Sequence, residues 1–130
     1  MSKVPVISII DDDESVRVTT TKFVRLHGFV AYTFASAEEF LRSPHIEDTA
    51  CVITDVRMPG MSGVELQEYL IAHGYRTPVI FITAFPQESG QAKAMAAGAV
   101  CFLSKPFEGQ TLIKYLNEAL ARQGDGTVDS

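Results

Sequence analysis

The chain has 130 residues, a formal net charge of −5, 46% hydrophobic and 21% charged residues. That is the profile of one soluble globular domain, large enough to bury roughly two-thirds of its unfolded-chain surface without a disulfide or metal staple. The negative balance with scattered Lys and Arg argues against direct nucleic-acid binding, and no apolar run approaches the ~20 residues of a membrane span.

Met1-Ser2-Lys3 leads straight into a short apolar strand with no signal-peptide core, so the expected compartment is the cytoplasm. That first predicted strand, Val6–Ile10, ends at Asp11-Asp12-Asp13-Glu14. Val16, Thr20, Phe23, Val24 and His27 then share one helical face, with Gly28 as the stop. Thr19-Thr20-Thr21 is a poor helix former, so packing must carry this helix. Val30–Phe34 is a second strand, mixed in polarity and suited to a sheet edge. Ser36-Ala37-Glu38-Glu39 reads as a capping box opening a short second helix.

Cys51–Thr54 is the third strand; Asp55 follows it, ahead of the turn Arg57-Met58-Pro59-Gly60-Met61-Ser62-Gly63. A second capping box, Ser62-Gly63-Val64-Glu65, opens a helix that buries Leu66, Tyr69, Leu70 and His73 and stops at Gly74. Val79–Thr83 is the fourth strand. An Ala-rich helix over roughly Gln87–Ala97 has few large apolar anchors and is predicted to be the weakest and most mobile. Val100–Leu103 is the fifth strand, with Lys105 and Pro106 just beyond it, and Leu112, Ile113, Leu116, Ala119 and Leu120 mark a fifth helix. The domain is expected over 1–122, with 123–130 as a polar, disordered tail. Cys51 and Cys101 read as buried packing residues kept reduced, and His27 and His73 as cations suited to helix C-termini.

Strand and helix alternate five times, which gives a parallel sheet with right-handed crossovers and helices on both faces. With strand order 2-1-3-4-5, ligands bind at the carboxyl ends of the strands near the switch point. The residues there are Asp11 and Asp12, Asp55, Thr83 and Lys105. Strands lie ~4.8 Å apart, so Lys105 starts about 9–10 Å from Asp55 and a side chain of roughly 6 Å reaches inward across the gap. Clustered carboxylates repel unless a cation intervenes. Mg²⁺ takes oxygen ligands, one or two of them carboxylates. Asp12 and Asp55 are the expected direct ligands, with Asp11 acting through water and backbone carbonyls just after Asp55 able to add another oxygen. Asp13 is expected to cap the first helix.

The segments Ile9-Ile10-Asp11-Asp12-Asp13, Thr54-Asp55-Val56-Arg57-Met58-Pro59-Gly60-Met61-Ser62-Gly63, Phe81-Ile82-Thr83-Ala84, Ala97-Gly98-Ala99 and Phe102-Leu103-Ser104-Lys105-Pro106-Phe107 together resemble the receiver domains of two-component response regulators, above all the FixJ-like group. The likeness spans about Val6 to Ala121. It implies the flavodoxin-like (βα)5 fold and a phosphoacceptor rather than an enzyme: a sensor histidine kinase donates a phosphoryl group to Asp55, with Mg²⁺ and Lys105 neutralising charge on the transferring oxygens. Of the backbone carbonyls just after Asp55, the likeness singles out that of Arg57 for the cation. Thr83 hydrogen-bonds the phosphoryl group, and small Ala84 leaves access to it. The resemblance also implies that Lys105–Pro106 can be cis, for which the sequence alone gives little reason. It implies a switch in which Thr83 moves toward the phosphoryl group and an aromatic, here Phe102, fills the space behind it. Many relatives carry Tyr at that position, whereas Phe102 lacks the hydroxyl. The face of helix four, strand five and helix five carries the signal. Arg57 and Phe85 overhang the site, and bulky Phe85 is expected to slow autodephosphorylation by restricting the attacking water.

Two other classes share parts of this pattern. A haloacid-dehalogenase-type phosphatase needs a second Asp where Arg57 stands, and a flavodoxin-like carrier needs a Ser/Thr/Gly-rich first loop where Asp11–Glu14 stands. A degenerate scaffold receiver would lack some of Asp11, Asp12, Asp55, Thr83 and Lys105, all of which are present. For output, a stand-alone regulator docking a downstream protein is the favoured expectation, with the receiver part of a longer DNA-binding transcriptional regulator as the alternative. A homodimer through helices four and five is also expected to be within reach.

Overall fold

A computed structural model describes residues 4–84 and 90–128, with 123–128 described by backbone alone. The elements run β1 (Val6–Ile10), α1 (Glu14–Leu26), β2 (Val30–Phe34), α2 (Ala37–Leu41), β3 (Thr49–Asp55), α3 (Gly63–Ala72), β4 (Val79–Thr83), α4 (Gln91–Ala96), β5 (Cys101–Ser104) and α5 (Gly109–Val128). All four strand pairings are parallel, in the order β2-β1-β3-β4-β5. This is the fold class that the alternation of apolar runs predicts, and the mixed strand β2 lies at an edge.

Alternation along each strand sorts the core into two layers. Ile7 and Ile9, Cys51 and Ile53, Ile80 and Ile82, and Cys101 and Leu103 point to one face, where Val24 of α1 and Leu112, Ile113, Leu116 and Ala119 of α5 cover them. Ile10, Val52, Val79 and Phe81 point to the other, under Phe40 of α2, Leu66 and Leu70 of α3 and Ala94 of α4. Both cysteines are free and buried, in keeping with the packing reading. Burial raises both thiols, that of Cys101 to about 12.

Several local expectations shift. β3 begins at Thr49, earlier than the apolar run suggests, because polar contacts hold its start: Thr49 Oγ1 donates to the His45 carbonyl at 2.6 Å and lies 2.7 Å from Ser8 Oγ. On α1, Thr20 and Val24 are buried and Phe23 is half-buried, but His27 is exposed. The helix ends at Leu26, so His27 is its C-cap, with Nδ1 2.9 Å from the Phe23 carbonyl. His73 is likewise the exposed C-cap of α3, stacked on half-buried Tyr69 at 3.9 Å, rather than a buried residue of that helix. Both keep the helix-terminal position expected of them.

Ser62 and Glu65 form the full capping box, whereas the one at Ser36 is half-formed. Ser36 Oγ accepts the Glu39 N–H at 3.1 Å, but the Glu39 carboxylate takes the N–H of Ala35 at 3.3 Å. α5 is helical to Val128, past Gln123, where composition suggested a disordered tail; no proline interrupts those residues. The start expected for the fourth helix, from Gln87, falls outside the described residues. Among those described, no helix is long and apolar enough to cross a membrane.

Candidate functional site

The carboxyl edge of the sheet gathers its groups from three strand ends. β1 delivers Asp11 and Asp12, because the Asp11 N–H still bonds the Phe34 carbonyl of β2 at 3.1 Å and so continues the ladder. Asp11 is buried, and Arg17 Nη1 donates to its backbone carbonyl at 2.6 Å. Asp13 turns the chain into α1: its carboxylate accepts the N–H groups of Ser15 at 2.9 Å and Val16 at 3.3 Å, the cap that its position predicts. The Ser15 and Val16 hydrogen bonds hold its carboxyl below the usual range.

Asp55 is the last residue of β3, pairs with Ile82 of β4 and is 8% exposed. The turn after it is tight. The Arg57 N–H donates to Asp55 Oδ1 at 3.3 Å, and Gly63 N–H to the Val56 carbonyl at 2.9 Å. A Cβ on Gly63 would collide with the Asp55 carbonyl, so only glycine lets α3 start this close to the strand end.

Lys105 arrives from β5, two strands from β3. Its backbone N–H is fixed on the Thr83 carbonyl at 2.8 Å, and the Lys105–Pro106 bond is cis. Its side chain crosses β4 to place Nζ 3.0 Å from Asp55 Oδ2 and 3.2 Å from Asp11 Oδ2. That is the inward reach that strand spacing anticipates. Burial opposes the ammonium charge, but the hydrogen bond to Asp55 and the charges of Asp11 and Asp55 prevail and raise its pKa. Asp11 is raised too, chiefly by burial and further by the charge of Asp55, against the Asp13 N–H and Lys105. Carboxylate oxygens of Asp11, Asp12 and Asp55 lie within 4.8 Å of one another, with Asp12 exposed. Such a hard-oxygen set, open to solvent on one side, could hold a divalent cation.

Around this centre, Thr83 is buried at the end of β4 and Ala84 beyond it is exposed. Phe102, half-buried on β5, stacks on Phe81 with ring centroids 4.6 Å apart. Arg57 is exposed at the rim, and Phe85 lies outside the described residues. Sequence reasoning missed Glu38, whose Oε2 accepts the Met61 N–H at 2.9 Å from across the loop. A Glu in the first turn of a helix gives no sequence signal for such a long-range contact. It also missed the clamp of Arg17 on the Asp11 carbonyl.

Comparison with known proteins agrees with this geometry. Residues 7–117 match the model of the response regulator receiver domain. The chain is 38% identical over 117 residues to nodulation protein W of Bradyrhizobium diazoefficiens, covering 90% of this chain and 52% of that protein. It is 35% identical over 119 residues to the transcriptional regulatory protein FixJ of Azorhizobium caulinodans, covering 92% and 56%. It thus spans about half the length of these curated relatives. Among solved structures, FixJ-N superposes with a TM-score of 0.81 at 36% identity, covering 93% of this chain and 96% of that one. Response regulator StyR gives 0.85 at 41%, covering 98% and 67%. The chain belongs to the response regulator receiver domain family of two-component systems, and within it is FixJ-like.

Proposed function

We propose that this domain is a cytoplasmic phosphoacceptor, in which Asp55 takes a phosphoryl group from a phosphohistidine of a sensor kinase. An Asp55 carboxylate oxygen attacks phosphorus, the N–P bond of the donor breaks, and an acyl phosphate forms. The observation that carries this reading is the Lys105 ammonium bridging Asp55 and Asp11 beside Asp12. One fixed cation and an acidic pocket are the parts for stabilising charge on transferring oxygens. Asp12, Asp55 and the Arg57 carbonyl would hold Mg²⁺ directly, with Asp11 acting through water, and the ion when bound would neutralise phosphoryl charge. Lys105 then binds a phosphoryl oxygen, and exposed Ala84 leaves room for the incoming donor.

The switch follows from the same residues. Buried Thr83 turns to donate its hydroxyl to the phosphoryl group, and Phe102 follows into the space it leaves, sliding from its stack on Phe81. Ligand-biased exchange between two such conformers is the general form of this behaviour. Arg57 at the rim, with Phe85, tunes access of water to the acyl phosphate. The relatives' length supports the reading in which the receiver controls an attached effector domain more than the stand-alone one.

Incubation with the host's histidine kinases and Mg²⁺ tests the proposal. Label should appear on the wild type and be lost from Asp55→Asn; equal labelling of both would overturn it. Beryllofluoride followed by sizing then tests whether the switch brings two copies together through α4 and α5.

A further inference from the structure

The loop between β3 and α3 is held from two sides. On the inside it is fixed by its own strand, through the Arg57 N–H on Asp55 Oδ1 and the Gly63 N–H on the Val56 carbonyl. On the outside it is held by α2, where Glu38 Oε2 accepts the Met61 N–H at 2.9 Å across 23 positions of sequence. Gly60 precedes that amide with φ +78, and a Cβ there would stand 2.6 Å from the same carboxylate oxygen. The loop therefore bares its backbone where the carboxylate approaches. The Met61 N–H keeps the Glu38 carboxyl below its usual range, so it is a charged acceptor in neutral solution.

We infer that Glu38 is a positioning residue for the cation site: by clasping the loop at Met61 it fixes the Arg57 carbonyl beside Asp55. This rests on the proposed role of that carbonyl as a ligand. A backbone ligand on a loop is useful only if the loop is already ordered, because otherwise ion binding must bear the entropy of ordering it. Hydrogen-bonded groups behind a ligand supply that order. The plainer role for Glu38, an acid favoured by the first turn of α2, predicts an effect on α2 and none on the loop.

The test compares wild type, Glu38→Ala, Glu38→Gln and Gly60→Ala. Without metal, hydrogen exchange of the Met61 amide should quicken in Glu38→Ala and return toward wild type in Glu38→Gln, which keeps an acceptor oxygen. Mg²⁺ titration without a phosphodonor, followed by the Arg57 and Met61 amide resonances, should show affinity about tenfold weaker in Glu38→Ala, as for other groups that orient a metal ligand. Gly60→Ala, which crowds the carboxylate and also strains the loop backbone at φ +78, should move in the same direction. With a small acyl phosphate, the Mg²⁺ concentration for half-maximal phosphorylation should rise while the rate at saturating Mg²⁺ stays near wild type. Wild-type Mg²⁺ affinity in Glu38→Ala would overturn the inference, whether or not exchange of the Met61 amide quickens. A wild type that neither binds Mg²⁺ nor is labelled on Asp55 would instead overturn the phosphoacceptor reading, with the exchange result still reporting on the clasp.

Discussion

α4 and α5 lie on opposite faces of the same strands, β4 and β5, and are attached to them by different physics. α5 lays Leu112, Ile113, Leu116 and Ala119 into a layer shared with Ile80, Ile82 and Leu103. Of α4, Ala94 alone is buried, and among the described residues two polar links tie the helix to α3. Gln67 Nε2 donates to the Ala94 carbonyl at 3.1 Å, and Lys93 pairs with Glu68 at 3.1 Å. An apolar layer is non-directional and is lost only as a whole, whereas a few polar links can be exchanged for water at modest cost. Among the described residues, α5 thus has an apolar anchorage and α4, packed on the same side as Phe102, a mainly polar one.

The largest effect that tests this contrast is on α5. Leu116 is fully buried, so Leu116→Ala should lower unfolding stability by about 3 kcal/mol in urea titration, from lost transfer energy plus the cavity left behind. A loss below about 1 kcal/mol would mean that α5 is no better anchored than α4, at odds with the usual cost of such truncations.

Gln67→Ala should have a smaller and more local effect, about 1 kcal/mol, the usual worth of a buried hydrogen bond. The loss is limited because the Ala94 carbonyl also accepts the Ala99 N–H at 3.0 Å and is not orphaned. Amide exchange in α4 should quicken while that of α5 stays unchanged. Equal acceleration in both would show that the two helices open as one unit and would dissolve the comparison.

Much of this arrangement is legible in the chain itself. Continuous apolar runs locate β1, β3 and β4, and the polar residues that end them, Asp11, Asp55 and Thr83, sit at one edge because all the strands are parallel. The inward reach of Lys105 follows from strand spacing. Ala-rich composition correctly marks α4 as short of apolar anchors. What escapes is polar residues whose partners are remote. Gln67, a polar residue beside Leu66 on a helix, carries no sequence sign of its partner on α4, yet it is 4% exposed and bonds the Ala94 carbonyl. Glu38 satisfies the helix-start pattern locally, and that local sufficiency hides its partner 23 residues away. His27 and His73 fit an apolar helical face by spacing alone, yet helix termination places them as exposed caps.

The smallest predicted effect separates the two polar links of α4 from each other. The Lys93–Glu68 pair is as short as the Gln67 bond, and in a list of contacts the ion pair would rank higher. Its side chains, however, are 77% and 49% exposed, so water and salt already screen both charges and the pairing must offset the entropy of two flexible side chains. Lys93→Ala should therefore change stability by no more than about 0.5 kcal/mol and leave α4 exchange as it is in wild type. Gln67 lies in a drier place, where its amide has no water to turn to, so its removal is felt. If Lys93→Ala instead loosened α4 as much as Gln67→Ala, charge rather than burial would be holding the helix, and raising the salt concentration should then release it in the wild type as well.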